Sequence, residues 1–261
     1  MQLSRRFLCS VLAALVLSGL NVSAAAADVV VFSTPTLKAS LEEIAPRFEQ
    51  ATGHRLVLRY DSVAALKRRI EAGEPFEVAL LLLPAVEDLV KQGRLNAASV
   101  TPIARAAIGL AVRAGAELPD VSSVDAVKAA LTRASSYAYG PDSASGTYFV
   151  QLLERLEIQQ AQSKLRPVPG GKVMQAVANG EAEVTVITIP NIIGEPGVML
   201  AGTLPDALQN YTTFIGAVSA VALPSGPGYA LMQFLGNPET TTALGRHGLE
   251  RGRREPAARS Q

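Results

Sequence analysis

Short turns rich in hydroxyl-bearing and small residues are the part of this chain best suited to bind a ligand. Residues 142–148 read Asp-Ser-Ala-Ser-Gly-Thr-Tyr and lie between an apolar run at 137–140 and a helix-like segment at 149–156. A strand, a turn and a helix start in this order expose backbone N–H groups, and the helix dipole favours an anion there. The same residue types are also common as plain helix caps. Such a turn can hold an anion without a cation.

Two earlier turns follow the same order of strand, turn and helix. The apolar run 29–32 opens into Ser-Thr-Pro-Thr at 33–36, and apolar residues then recur at helical spacing until Gly53. The run 56–60 opens into Asp-Ser at 61–62 and a second helical pattern. Threonine and serine before a helix can cap it, and proline suits the first helical position. The hydroxyl-bearing residues of interest in these turns are Thr34, Thr36 and Ser62.

The repeated order of strand and helix predicts an α/β fold with mainly parallel sheets. A third apolar run at 78–83 continues the pattern. Residues 114–123 are then mainly polar and include Gly115 and Pro119, so the alternation of apolar strands and helices is interrupted there. We expect two lobes, with a cleft between them and a hinge made by two crossings of the chain. The predicted first lobe comprises residues 28–110 and 216–250, and the second lobe comprises 111–215.

The chain is poor in groups that support catalysis or hold a metal. His54 and His247 are its two histidines, and no sequence pattern pairs either of them with a ligand or a nucleophile. Gly-Gly-Lys at 170–172 lacks the other positions of a phosphate-binding loop, and no serine-nucleophile elbow occurs. The carboxylates are spread over predicted helix faces, as is typical of solvation. We therefore predict a protein that is not an enzyme and has no catalytic residue, cofactor or metal site.

Residues 1–27 have the features of a secretory signal peptide. Arg5 and Arg6 precede an apolar run at 7–20, and small residues follow up to Ala27, which is the expected order for a leader that is removed. The arginine pair also resembles a twin-arginine signal, so the Sec and twin-arginine routes both stay open. The only cysteine, Cys9, lies in this leader, and the mature chain is expected to be stable without a disulfide.

The balance of charge argues against a nucleic-acid partner. The sequence holds 24 Lys and Arg against 23 Asp and Glu, and two of the basic residues lie in the predicted leader. Nucleic-acid-binding proteins usually have a strong basic excess. A basic cluster occurs within 251–261, which we interpret as a flexible, solvated tail. No stretch after the leader is long and apolar enough to span a membrane.

Several segments together resemble one known family. They are Phe-Ser-Thr-Pro-Thr-Leu at 32–37, Leu-Lys-Arg-Arg-Ile-Glu-Ala-Gly-Glu-Pro at 66–75, the turn at 142–148, Gly-Glu-Ala at 180–182 and Gly-Leu-Glu at 248–250. In this order and spacing they resemble the type 2 periplasmic solute-binding proteins, and among these the molybdate-binding proteins of ABC importers. The resemblance covers nearly all of the mature chain. It implies two α/β lobes that close on a tetrahedral oxyanion held by hydroxyls, backbone N–H groups and a tyrosine.

The resemblance also implies which residues face the cleft. The first serine of the family falls on Thr36, and the second falls on Val63 with Ser62 directly before it. The small residue of the later turn falls on Ser145, and the tyrosine falls on Thr188. Because threonine is much shorter than tyrosine, the cleft is expected to suit a larger ligand as well. The expected ligand-binding residues are Thr34, Thr36, Ser62, Val63, Ser145, Gly146, Thr147, Gly170 and Thr188.

The function implied is that of the periplasmic substrate-binding component of an ABC importer. We expect a monomer that captures a small, molybdate-like anion by hinge closure and delivers it to an inner-membrane permease. One alternative is a binder of a small organic acid or another metabolite, for import or for sensing through a receptor. Another is a secreted enzyme on the same fold, which would need two or more ionisable side chains that converge in the cleft.

Overall fold

The computed structural model describes residues 26–141, 143–169 and 171–253. They form two α/β lobes, each built on one mixed β-sheet with helices on both faces. The predicted leader up to residue 25 and the tail from residue 254 lie outside the described residues, as do Asp142 and Gly170. Among the helices described, none is both long enough and apolar enough to cross a membrane.

The first lobe contains a six-stranded sheet. Its strands are β1 (Asp28–Ser33), β2 (Arg55–Tyr60), β3 (Val78–Leu82), β4 (Thr101–Ala106), β10 (Thr212–Val218) and β11 (Leu249–Arg251), in the order β11-β4-β10-β3-β1-β2. Its helices are α1 (Lys38–Thr52), α2 (Val63–Glu71), α3 (Leu83–Lys91), α9 (Pro227–Leu235) and α10 (Pro238–Arg246). Side chains alternate across β1, so Val31 packs under α1, α9 and α10 while Phe32 packs under α2 and α3.

The second lobe contains a five-stranded sheet. Its strands are β5 (Ile108–Arg113), β6 (Tyr137–Tyr139), β7 (Leu165–Pro167), β8 (Val184–Thr188) and β9 (Val198–Thr203), in the order β7-β6-β8-β5-β9. Its helices are α4 (Val124–Arg133), α5 (Ala144–Arg155), α6 (Ala161–Lys164), α7 (Val173–Ala178) and α8 (Ile189–Ile193). Helices α4 and α5 cover one face of the sheet, and α7 and α8 cover the other.

Local sequence explains the first βα unit, which the later units repeat. β1 is almost entirely apolar, as expected for a strand covered on both faces. α1 turns Leu41, Ile44 and Phe48 inward, each at most 3% exposed. It ends at Gly53, whose φ of 75° is left-handed, and glycine adopts this conformation without a Cβ clash.

The predicted α/β two-lobed fold is confirmed. Both sheets contain parallel and antiparallel strand pairs. Strands of the βα units pair in parallel, namely β1 with β2 and β3, and β6 with β7 and β8. Strands next to a crossing pair antiparallel, namely β10 with β3 and β4, and β5 with β8 and β9. The expectation of parallel pairing therefore holds for β1 and for β6 with their two neighbours, and not for the strands next to the crossings.

The two sheet crossings lie at positions other than the predicted ones. A single residue, Ala107, separates β4 in the first sheet from β5 in the second, and residues 204–211 lead back from β9 to β10. The boundaries predicted after residues 110 and 215 fall inside β5 and β10. No turn sequence marks the first crossing, because only Ala107 lies between the last residue of β4 and the first residue of β5.

Candidate functional site

A cavity of about 750 Å³ opens on the cleft face of the second lobe. All of its lining residues belong to that lobe; they come from β8 itself and from the loops and helices that follow β6, β7 and β8. These loops meet because the carboxyl ends of parallel strands lie at one edge of a sheet, where ligands of α/β proteins usually bind. The polar residues that line the cavity include Ser143, Ser145, Lys172, Gln175, Asn191 and Glu195.

The start of α5 forms one wall of this cavity. Ser143 is the N-cap, and its hydroxyl oxygen accepts the N–H of Gly146 at 3.0 Å. The N–H of Thr147 donates to the carbonyl of Ser143 at 3.0 Å. Within the described residues, the N–H groups of Ala144 and Ser145 have no acceptor. The available backbone donors are therefore those of the first two helical positions, since the helix itself uses those of Gly146 and Thr147.

Gly146 has a packing role that explains its position in the turn. A Cβ on this residue would lie 2.0 Å from the carbonyl oxygen of Gly140, at the end of β6. The helix can therefore approach the strand this closely only with glycine here. The approach fixes the hydroxyl of Ser145 at the cavity wall.

Charged and amide side chains complete the cavity. Lys172 directly precedes α7, and no ion pair involving its ammonium is found in the described part of the chain. Asn191 lies in α8, and Glu195 follows that helix. The cavity thus offers one cation, one carboxylate, two amides and two serine hydroxyls to a ligand.

A second cavity, of about 400 Å³, lies between the lobes. The first lobe contributes Thr36, Lys38 and His247, and the second lobe contributes α8 with Asn191. Asn191 lines both cavities. This residue of α8 therefore borders both cavities.

Residues of the first lobe supply further polar groups near this cleft. Lys38 begins α1, and its ammonium lies 6.0 Å from the centre of the Tyr60 ring. Burial raises the pKa of the Tyr60 phenol, so this hydroxyl stays protonated and donates to the Lys38 carbonyl at 3.5 Å. His247 Nε2 lies 2.9 Å from a carboxylate oxygen of Glu43.

The two earlier turns place their predicted residues differently. Thr36 lines the inter-lobe cavity. Thr34 is 6% exposed, and its hydroxyl oxygen has no partner in the described residues. Ser62 is exposed and caps α2, accepting the N–H of Ala65 at 3.3 Å, whereas Val63 packs against the core of the first lobe. Of the two alternatives, Ser62 is the residue with an exposed hydroxyl.

Thr188 lines neither of these cavities, as far as the described residues show. Along β8, Val184 and Val186 face the core shared with α4 and α5, and Thr188 follows them at the same alternation. Ile187 points to the opposite face and lines the larger cavity. Gly170 lies outside the described residues, and its neighbour Gly171 lines the cavity.

Several cleft residues were missed from the sequence: Lys38, Lys172, Asn191, Glu195 and His247. Lys172 ends the Gly-Gly-Lys segment, in which only Gly170 was predicted to bind a ligand. Its place after the strand β7 was a usable signal, because turns at that edge of the sheet face the cleft. The described residues contain no group of three or more His, Cys, Asp or Glu side chains arranged to hold a metal.

Comparison with known proteins decides the family. The model of the bacterial extracellular solute-binding proteins matches residues 29–250. The chain belongs to this family. The predicted resemblance of this solute-binding protein to the molybdate-binding proteins is confirmed by its relatives. A molybdate-binding protein of Azotobacter vinelandii is 27% identical over 241 residues, which cover 87% of this chain and 91% of the relative.

A second relative of this solute-binding protein is named as an enzyme. An aconitate isomerase from a Pseudomonas species is 32% identical over 227 residues, which cover 84% of this chain and 86% of the relative. Among solved structures, a substrate-binding domain from Clostridium difficile, assigned to a molybdenum ABC transporter, superposes with a TM-score of 0.77 at 14% identity. It covers 87% of this chain and 99% of its own. At that identity the match supports the fold alone.

Proposed function

We propose that this solute-binding protein captures a small organic anion between its lobes in the periplasm and delivers it to an inner-membrane ABC permease. The observation that carries the proposal is the cavity of about 750 Å³ that contains Lys172 and the open N–H groups at the start of α5. Its volume lies within the range of about 300–1,000 Å³ that is typical of small-molecule sites. A cation and helix N–H groups at the same cavity favour a carboxylate.

The cleft residues favour an organic acid over a tetrahedral oxyanion. Family positions that would complete an oxyanion site are occupied by Val63, which packs into the core, and Thr188, which lines neither cavity. An oxyanion in this cleft would leave acceptors unpaired or bridged by water, at about 1–3 kcal/mol for each buried unpaired group. A larger acid can instead reach Lys172, Asn191 and the serine hydroxyls together.

The mechanism is hinge closure driven by contacts with both lobes. The second lobe supplies Ser145 and Lys172, and the first lobe supplies Thr36 and Lys38. A ligand that touches both sets binds the closed form more tightly than the open form, and so it shifts the equilibrium towards closure. The permease would then distinguish the closed, loaded protein from the open, empty one.

Calorimetric titration of the mature protein tests the proposal. We expect binding of carboxylic acids such as citrate, aconitate and succinate to be tighter than binding of molybdate, tungstate or sulfate. Ser145→Phe should abolish binding by filling the cavity, and Ser122→Phe, at an exposed serine outside it, should leave affinity unchanged. Failure of all organic acids at millimolar concentration, or retained affinity in Ser145→Phe, would contradict the proposal.

A second candidate function is isomerisation of a small tricarboxylic acid in the same cleft. It is favoured by the ionisable side chains that line the two cavities: Lys38, Glu42, Lys172, Glu195 and His247. These include groups able to move a proton along a bound acid. The 32% identity to an aconitate isomerase points in the same direction.

The two functions are distinguished by turnover. Incubation of cis- or trans-aconitate with the purified protein, followed by chromatography of the acids, would reveal interconversion if the cleft is catalytic. Binding without interconversion supports transport or sensing instead. Variants Glu195→Gln and His247→Gln would then identify which group transfers the proton, because only loss of that group should lower turnover while binding persists.

A further inference from the structure

We propose that Lys38 and Lys172, one on each lobe, make the cleft selective for ligands with at least two carboxylates. This inference rests on the proposed function and names its ligand class. Lys172 lines the cavity of the second lobe, Lys38 lines the cavity between the lobes, and Asn191 lines both cavities. A ligand that extends past Asn191 therefore meets both cations.

Lys172 is available to a ligand. Within the described residues its ammonium has neither an ion pair nor a hydrogen bond, although a carboxylate, Glu195, lines the same cavity. It directly follows Gly171 in the sequence and lines the same cavity as Ser143 and Ser145. A carboxylate held by Lys172 can also accept hydrogen bonds from the unpaired N–H groups of Ala144 and Ser145 at the start of α5.

Lys38 is only weakly engaged on the opposite lobe. Its ammonium nitrogen lies 3.8 Å from a carboxylate oxygen of Glu42, and the side chains of Lys38 and Glu42 are 57% and 53% exposed. Such exposed pairs one helical turn apart contribute little and are easily replaced. Thr36 lies beside Lys38 in the same cavity, so a second carboxylate there gains both a cation and a hydroxyl donor.

Closure converts this placement into selectivity. When the lobes close, both ammonium groups leave bulk water, and the effective dielectric around them falls. A monocarboxylate neutralises one of them and leaves the other uncompensated, which opposes closure. A ligand with two carboxylates neutralises both and gains closure energy in addition.

Glu42 and Glu195 refine the prediction. Each adds a negative charge to one of the cavities, so a carboxylate cannot be accommodated equally well at every point. Carboxylates of the ligand are directed towards Lys38 and Lys172, and the positions near the glutamates suit hydroxyl or hydrogen-bond donor groups. Asn191, between the cavities, can either donate to or accept from the connecting part of the ligand.

Titration of the mature protein with acetate, succinate and citrate tests the inference. We expect affinity to rise steeply from one carboxylate to two. Lys38→Gln and Lys172→Gln should each weaken succinate and citrate binding at least tenfold and flatten this dependence on carboxylate number. Lys128→Gln removes an exposed lysine of α4 that lines neither cavity, and it should bind all three acids as the wild type does.

The possible outcomes separate the inference from the proposed function. If the wild type binds organic acids but its affinity does not depend on carboxylate number, the inference is wrong and the proposed function stands. The same conclusion follows if both lysine variants keep the wild-type dependence while remaining folded by circular dichroism. If the wild type binds no organic acid at all, both proposals fail.

Discussion

At the scale of single residues, Gly146 joins the framework of the second lobe to its binding surface. Its missing side chain lets α5 approach the end of β6, and the same turn presents Ser145 to the cavity. A residue of this kind is constrained by backbone proximity even if the ligand never touches it.

Gly146→Ala should lower the free energy of unfolding by about 1–3 kcal/mol, because its Cβ would meet the carbonyl of Gly140 and force a backbone shift. Urea denaturation measures this difference. The matched control is Gly245→Ala in α10, where a Cβ meets nothing within 4 Å. That variant should be more stable by about 0.4–1 kcal/mol, since alanine reduces the entropy of the unfolded chain. Equal stability of the two variants would contradict this account.

Glu77, just before β3, gives a prediction for pH dependence. Burial raises the pKa of its carboxyl group, so the folded protein holds this proton to a higher pH than the unfolded chain does. The charge that forms as the pH rises through the raised pKa therefore lowers stability. Glu77→Gln should melt at a higher temperature than the wild type at pH 7, and the difference should vanish below about pH 4.

Glu74 supplies a control of opposite sign. Its hydrogen bonds from Arg69, at 2.6 and 2.5 Å, lower the pKa of the Glu74 carboxyl group. Stability from this group is present at pH 7 and is lost as the pH falls through the lowered pKa. Glu74→Gln should therefore melt below the wild type at pH 7 and approach it in acid. The same sign for both variants would refute the assignment.

At the scale of elements, the two crossings are joined by a side chain. Gln209, on the returning segment, accepts the N–H of Ile108 at 2.6 Å and donates to the Ile108 carbonyl at 3.1 Å. Arg105 lies 3.7 Å from the Tyr211 ring centre and donates to Glu250 at 2.8 Å. These contacts tie the returning segment to the first crossing.

Gln209→Leu should lower the free energy of unfolding by roughly 1–3 kcal/mol, because the N–H of the buried Ile108 loses its acceptor. Hydrogen exchange should detect the loss as faster exchange of that amide. Gln151→Leu, at an exposed position of α5, is the matched control and should change stability little. Similar effects of the two substitutions would indicate that the side-chain bridge contributes nothing.

Element order was predictable from the sequence, and convergence between elements was not. β1, α1 and Gly53 follow from local apolar spacing and a left-handed cap, so they were identified correctly. The switch of sheets at Ala107 leaves no local signal, because β4 runs into β5 with this single residue between them and no turn sequence. The ligand positions depend on which face a side chain takes and which loops meet in space. For this reason Lys172 and Asn191 were missed.

At the scale of the whole molecule, each lobe has its own core, and a ligand between them links the two. At a free ligand concentration of 100 Kd, stabilisation of the ligand-bound form is about 2.7 kcal/mol. We expect a higher melting temperature and a smaller radius of gyration in solution scattering when ligand is saturating. Ser145→Phe at the same ligand concentration should show neither change. Saturation of the wild type without compaction would contradict hinge closure.

The location of the larger cavity has a kinetic consequence. Every residue that lines this cavity belongs to the second lobe. We therefore expect the ligand to bind first to this lobe, while the two lobes are still open. The association rate constant should then depend on the charge of the second lobe. Contacts with the first lobe should form later, on closure, and slow dissociation of the ligand. Substitutions at Thr36 or Lys38 would shorten the residence time of the ligand and leave its arrival rate almost unchanged, whereas Lys172 would affect both. Binding and retention of the ligand would thus depend on different lobes. The permease would need to break only the contacts of the first lobe to release the ligand.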